Sequence, residues 1–319
     1  MTAQTSRDRP LGGRRFFRGH GLGNDYLVVD EGSVWRFTPD AIRQLCDRHE
    51  GVGSDGVVLV HRGETQPVRL RGFNPDGSEF ERSGNGLRVV AAHLFRSGRV
   101  GSDPFLVEIG GDRVQMQVHS ADGRGELDVS VDMGTARTGP EAVRWSDAEG
   151  AVWGDGRLSL GAESPLVASL GASLGAELRA EFVSVGNPHC VVFGAPEPWP
   201  NGLGEAPFEA LGSTLAVHPG FAAGVNVQLV AVRSDDDLEV RVWERGVGPT
   251  AASGTSACAV AVAAVASGRV PPGEKTVHMA GGRLRVQVDD ELAVVLRGPV
   301  RAVCDGELDL GFCRVLSGS

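Results

Sequence analysis

One serine-led helix start occurs twice, and this repeat limits what the chain can fold into more than any other feature. Ser83 to Val100 reads SGNGLRVVAAHLFRSGRV, and Ser253 to Val270 reads SGTSACAVAVAAVASGRV. Aligned without a gap, the two stretches agree at eight of eighteen positions. Each opens on a serine suited to an N-cap and closes on Ser-Gly, a helix stop. Cap preferences explain agreement only at the ends, and the shared Val and Ala lie inside. The pattern predicts an internal duplication: two half-chains, each contributing one helix. Gly84 and Gly86 allow the backbone a tight entry. A small, polar helix start leaves free N–H groups, which suits an anion. The run Ala257 to Ala266 is apolar all round, so that helix should be buried within its own domain, and it is too short to span a bilayer.

The chain has 319 residues, enough for two domains with separate cores. A net charge of −10 argues against nucleic acid and anionic membranes as partners. The five cysteines (Cys46, Cys190, Cys258, Cys304, Cys313) form no CxxC pair and no zinc spacing, so no metal site is expected. An odd count and no secretory leader fit a reducing cytosol.

Met1 to Gly13 is polar and reads as a loose tail, with structure beginning near Arg15. Gly21 to Tyr26 reads as a turn between short strands, with Asn24 and Asp25 at its tip; an ordinary Asn-Asp turn would look the same. Thr38 to Arg48 predicts a capped helix, and Val57 to Val60 a buried strand after the loop Gly51 to Gly56. That loop lacks the spacing of a dinucleotide fingerprint and the lysine of a P-loop. Asn74, Asp76, Ser78, Glu79 and Glu81 crowd the approach to Ser83. Three or four alternating strands are expected from Phe105 to Gly134. Phe182 to Phe193 reads as two strands broken by Gly-Asn-Pro-His, with Asn187 and His189 at strand ends. His189 there is compatible with a purely structural role. Asn226 leads a strand, and Glu244-Arg245 ends another just before Ser253. Three closing strands follow over Thr276 to Arg297, and Val303 to Val315 is expected to add one or two more.

In order along the chain, GLGNDY, GVGSDG, FNPDGSEFERSGNGLR, SVGNPHCVVF, GVNV, RVWERGVGPTAASGTSACA, GGRLRV and CDGELDL resemble diaminopimelate epimerase, a pyridoxal-phosphate-independent family. The resemblance runs from about residue 16 to the C-terminus. It implies an α/β (α+β) fold of two similar domains, each a curved, mostly antiparallel sheet wrapped round a central helix. Residues 15–130, with a returning segment 305–319, would form one domain and 131–304 the other. It implies a cytoplasmic homodimer of lysine biosynthesis that needs no cofactor. An amino acid would bind between the domains. In the family, one cysteine thiolate removes the α-proton and a second thiol donates to the opposite face, because inversion needs base and acid on opposite sides. By motif match, Asn24, Asn74, Asn187 and Asn226 would hold the distal part of the substrate. Glu244 would meet an ammonium group and Arg245 a carboxylate. Gly84, Asn85, Gly254 and Thr255 would supply N–H groups at the reacting end.

The departures bear on the chemistry. Ser83 and Ser253 stand at the two catalytic cysteine positions, Pro249 replaces a glutamate, Ser256 a glycine, and Arg82 precedes Ser83 where an apolar residue is common. A serine hydroxyl is not appreciably ionised and needs a separate base. Three readings stay open. The chain is a family enzyme of altered chemistry, an isomerase, lyase or cyclase with His189, Glu79 or Glu244 as base. Alternatively, it is a non-catalytic amino-acid-binding protein. The third is an epimerase whose cysteines were exchanged for serine, which Pro249 and Ser256 disfavour.

Overall fold

The computed structural model describes residues 13–32, 35–63, 66–80, 83–123, 125–148, 151–154, 157–159, 177–194 and 205–318. The expected tail up to residue 12, Glu81, Arg82 and much of the Gly/Ala/Ser-rich stretch 140–180 lie outside the described residues. The chain divides into two compact units: residues 1–132 with 297–319, and residues 133–296.

In the first unit, Arg15–Gly21 and Asn24–Asp30 form an antiparallel hairpin. Asn24–Asp30 crosses over, through the helix Pro39–Cys46, to run parallel with Val57–Val60. Val68–Phe73 pairs antiparallel with that strand and crosses over, through the helix Gly84–Arg96, to lie parallel with Phe105–Ile109. Asp112–Ala121 and Glu126–Thr135 then pair in antiparallel succession. The strand Ala293–Glu307 pairs with Arg15–Gly21 on one side and with Glu126–Thr135 on the other, so the sheet closes on itself. Gly84–Arg96 packs on strands from both ends of this order, with every side chain from Asn85 to Leu94 buried.

The second unit repeats the sequence of connections. The hairpin Glu177–Ser184/Pro188–Phe193 crosses over, through the helix Glu205–Ala216, to a parallel strand Asn226–Ser234. Asp237–Glu244 follows antiparallel and crosses over, through the helix Gly254–Ala266, to the parallel strand Gly273–Met279; Gly282–Val288 is antiparallel to that. Gly254–Ala266 touches six of these strands, which explains a helix with no polar face. Phe208, Leu211 and Leu215 of Glu205–Ala216 cover the outside of the sheet beside Phe182, Phe221 and Leu229. The fold is thus the α+β one that the motifs imply, and the repeat seen in the sequence is a repeat of topology.

The two central helices also end alike. After Ser97, the N–H groups of Gly98 and Arg99 turn back to the carbonyls of Phe95 and Leu94; after Ser267, those of Gly268 and Arg269 turn back to Val265 and Ala264. This Schellman pattern needs a left-handed residue, and Gly98 (φ 73°) and Gly268 (φ 69°) supply it.

Two expectations are corrected. The hairpin tip is Leu22-Gly23 and not Asn24-Asp25. Both tip residues have positive φ (54° and 92°), as a two-residue type I′ turn demands. Asn24 and Asp25 are drawn into the strand by bonds to Asp55. The end of the chain is also not all strand. Ala293–Glu307 runs unbroken through Val303, and Asp309 then caps a helix, Leu310–Leu316, by accepting from the Gly311 N–H at 2.7 Å. Cys313 and Leu316 of that helix bury against Ile42 and Leu45.

A Cβ at Gly98 or Gly268 would meet nothing within 4 Å, so substitution probes the backbone alone. Gly98→Ala and Gly268→Ala should each cost about 1 kcal/mol in urea unfolding, from the left-handed conformation. A loss near zero at either position would mean that the helix end is not held in that turn.

Candidate active site

Both serines take extended backbone angles and cap their helices. Ser83 (φ −138°, ψ 116°) accepts the Gly86 N–H at 3.1 Å, and Ser253 (φ −144°, ψ 125°) accepts the Ser256 N–H at 3.5 Å. The first intrahelical bonds run from Leu87 N to Ser83 O and from Ala257 N to Ser253 O. The N–H groups of Gly84, Asn85, Gly254 and Thr255 therefore precede the helical ladder. They carry the positive end of each helix dipole, which favours an anion.

At the first helix start, the Tyr26 hydroxyl lies 3.0 Å from Ser83 Oγ. Asn85 Nδ2 donates to Asn24 Oδ1 at 2.9 Å, and Asn24 Nδ2 donates to Asp55 Oδ2 at 3.0 Å. Asn85 Oδ1 in turn accepts from the fully buried Arg88. Both amides are thereby fixed end for end. Asp55 is tied to Arg48, which also bridges to Asp25. Burial alone would raise the Asp25 carboxyl; the bonds from Arg48 and Arg18 outweigh it and hold the group below the usual carboxylate range. Asn74 bonds Ser78 at 3.0 Å in an exposed turn. Glu79 is ion-paired with Arg71, whose hydrogen bond lowers its carboxyl.

At the second helix start the partners are neutral. His189 is fully buried, and its Nε2 donates to Asn187 Oδ1 at 2.8 Å. Asn187 Nδ2 donates to Thr255 Oγ1 at 3.4 Å. Gln228, a hydrogen-bond neighbour of the His189 ring, reaches Ser256 Oγ at 3.0 Å. Among the described residues, His189 Nδ1 and Gln228 Oε1 have no hydrogen-bond partner in this amide orientation. Reversing the Gln228 amide satisfies both: its NH2 then donates to Nδ1, and its oxygen accepts the Ser256 hydroxyl proton. Burial pulls the His189 imidazole down to about 3, so the ring is neutral. Asn226 Oδ1 accepts the Arg245 N–H at 2.9 Å, and its Nδ2 donates to the Pro188 carbonyl at 3.1 Å. Glu244 accepts the Thr250 hydroxyl at 2.7 Å, and Arg245 donates to the Ala223 carbonyl.

The anticipated residues thus fall into bonded groups within each unit. Asn24 with Asn85 forms one, while Ser83 beside them bonds Tyr26 and Gly86. Asn187, His189 and Thr255 form a second, and Asn226 with Arg245 a third. Asn74 and Glu79 make their bonds elsewhere. Sequence reasoning gave no role to Tyr26, Asp55, Arg88 or Gln228. Asp55 had one signal, a carboxylate inside the glycine loop Gly51 to Gly56. None of the five cysteines is in a disulfide, four of them are buried, and burial pushes Cys46, Cys190 and Cys313 up. Among the described residues no cluster of His, Cys, Asp or Glu could hold a metal ion, and no helix is long and apolar enough to cross a membrane.

The family model for diaminopimelate epimerase matches residues 16–139 and 181–303. A diaminopimelate epimerase from Desulforudis audaxviator is 41% identical over 297 residues, covering 92% of this chain and 98% of the relative. One from Geobacillus kaustophilus is 38% identical, covering 91% and 95%. Among solved structures, a predicted epimerase from Pseudomonas aeruginosa has a TM-score of 0.63 at 19% identity, covering 93% of this chain and 99% of that one. A hydroxyproline epimerase from Agrobacterium vitis has 0.62 at 17%, covering 93% of this chain and 92% of that one. These two likenesses concern the fold, whereas the family model and the relatives span both helix starts, and by them this chain belongs to the diaminopimelate epimerase family.

Proposed function

We propose that this chain is a cofactor-independent isomerase of the diaminopimelate-epimerase type, acting at the α-carbon of an amino acid or related carboxylate. One observation carries the reading: both helix starts keep a hydroxyl on the third amide of a buried helix, at the positions that the motif match gives to the family's two thiols. Asn24, Asn74, Asn187 and Asn226 take the distal part of the substrate, Glu244 its ammonium and Arg245 a carboxylate. The free N–H groups of Gly84, Asn85, Gly254 and Thr255 stabilise the negative charge that builds as the α-proton leaves. The same reading makes the chain a cytoplasmic homodimer serving lysine biosynthesis, on the strength of the family and the reducing-compartment cysteine pattern.

The hydroxyls set the chemistry apart. A free cysteine is a few per cent thiolate at neutral pH, and a helix start raises that fraction; a serine is not ionised there. The two-thiol inversion therefore does not run as in the relatives. His189 is a poor substitute base, because its ring is buried and both nitrogens serve its neighbours. Glu79 is poor as well, being exposed and held by Arg71. What weighs for a binding role alone is the loss of a carboxylate at Pro249.

With diaminopimelate stereoisomers in heavy water, the natural chain should invert the α-carbon at least ~100-fold more slowly than its Ser83→Cys, Ser253→Cys variant, the range of one acid–base group. Proton NMR with chiral analysis of the amino acid reads both. If neither protein exchanges an α-proton although the ligand binds, the α-carbon reading fails and the binding role replaces it.

His189 also sets an acid limit. Its folded value, about 3, lies below the unfolded value near ~6.5, so the unfolded chain takes up the proton first as pH falls. Stability should drop by roughly 1.4 kcal/mol per pH unit from this group, about 2 kcal/mol between pH ~6.5 and ~5. Urea unfolding of the natural chain and of His189→Gln should show that slope only in the former. An equal slope in both would put the ring in contact with water.

A further inference from the structure

We propose that Tyr26 is the acid–base partner of Ser83, so that a phenol working through a hydroxyl does at the first helix start what a thiol does in the relatives. This rests on the α-carbon reading above and adds to it the group that holds the proton.

The geometry comes first. Tyr26 is the only tyrosine of the chain, and it is 7% exposed. Its ring stands edge-on to Phe80, with centroids 6.0 Å apart. Two glycines make room for it. A Cβ at Gly56 would lie 2.5 Å from the ring, and one at Gly86 3.1 Å. The ring is thus held with its hydroxyl 3.0 Å from Ser83 Oγ. A serine oxygen has one hydrogen and two lone pairs. One lone pair takes the Gly86 N–H. With its hydrogen given to Tyr26, Ser83 keeps one lone pair for a proton from outside.

The step balances without a co-reactant. In the proposed step Tyr26 acts from its phenolate form, which burial disfavours and the adjacent helix N-terminus favours. Ser83 Oγ takes the α-proton of the substrate while its own proton passes to the Tyr26 oxygen. One C–H and one O–H bond break, and two O–H bonds form. The electron pair left on the α-carbon spreads into the carboxylate. The reverse step returns the Ser83 hydroxyl proton to the same face while Tyr26 reprotonates Ser83, and deuterium enters the α-carbon once the Ser83 hydroxyl has exchanged with solvent. Ser253 has no counterpart. Its hydroxyl meets the Ser256 N–H and its own N–H meets Met279 Sδ, and among the described residues no titratable side chain bonds it. Relayed proton transfer in this chain is therefore confined to the Ser83 face, so exchange with retention on one α-configuration outpaces the slow inversion.

The test uses Tyr26→Phe, which keeps the ring and removes the hydroxyl, in two backgrounds. Diaminopimelate stereoisomers are incubated in heavy water with the natural chain, Tyr26→Phe, Ser83→Cys and the Ser83→Cys, Tyr26→Phe double variant. The natural chain should deuterate one configuration with retention, and Tyr26→Phe should slow this at least ~100-fold. With Ser83→Cys the thiol ionises by itself, so adding Tyr26→Phe should change exchange by less than about threefold. An equal loss in both backgrounds, or none in either, overturns the proposal, because a packing role would not depend on the residue at position 83. A ligand-free readout separates its failure from that of the α-carbon reading. The single ring-carbon Cζ resonance of 13C-labelled tyrosine should move on Ser83→Ala and stay put on Ser253→Ala. A resonance indifferent to Ser83→Ala breaks the pair, whatever the activity. A resonance that responds, with no exchange in any background, overturns the α-carbon reading and the relay role with it, leaving only the hydrogen bond.

Discussion

A helix buried on every side has to satisfy its own ends, and the rest of this structure follows from how two helices do it. Gly254–Ala266 has no polar face, so water cannot reach its first N–H groups from the flank. The serine hydroxyl at its head supplies an acceptor inside the protein. The same holds at Ser83. The oxygen that caps each helix is also the atom that the proposed chemistry needs, so cap and reactive group are one side chain. A thiol is a weak acceptor, whereas serine ranks among the best N-caps. Exchanging thiols for hydroxyls strengthens the two caps and weakens the acid–base groups at the same two positions.

The two units share a topology and differ in electrostatics. Around the first helix start the polar chain is ionic: Arg18, Asp25, Arg48 and Asp55 anchor Asn24, and Arg88 anchors Asn85. Around the second it is made of amides, a neutral imidazole and hydroxyls. Both solutions fix which end of each asparagine amide faces which way. The ionic one tolerates a partly exposed rim, where Arg48 is half exposed. The neutral one suits His189 and Gln228, which are fully buried and where a charge would cost most. Duplication thus preserved the backbone plan while the orienting groups were replaced.

What was legible in the sequence was local. Ser83 and Gly98 mark the ends of one helix, and four consecutive apolar residues mark the buried strand Val57–Val60. Of the expected break Gly-Asn-Pro-His, Gly186 and Asn187 fall between the strands, the first ending at Ser184, and Pro188 and His189 already open the second. What was not legible depended on partners far along the chain. The hairpin tip moved to Leu22 because Asp55, some thirty residues on, draws Asn24 and Asp25 into the strand. The terminal helix is stabilised by burial of Cys313 and Leu316 against a helix near the start of the chain. Tyr26 meets Ser83 across 57 residues, and nothing in the local motif marks its hydroxyl as different from an ordinary core ring.

In the proposed relay, Tyr26 supplies at the first helix start the proton affinity that a serine hydroxyl lacks. A thiol ordinarily titrates near ~8.5 and a phenol near ~10, whereas an aliphatic hydroxyl stays protonated throughout this range. Of the side chains bonded to Ser83, the phenol comes nearest to the lost thiol in proton affinity. It also needs no vacant space beside the helix start, because Gly56 and Gly86 already admit the ring. The oxygen at position 83 then has only to carry the proton, which a hydroxyl does as readily as it caps. No such phenol stands at Ser253, and among the described residues no titratable side chain bonded to that serine would take its place in the proposed chemistry. The physical asymmetry between the two starts, more than the substitution of serine itself, separates a reaction on one face from an inversion.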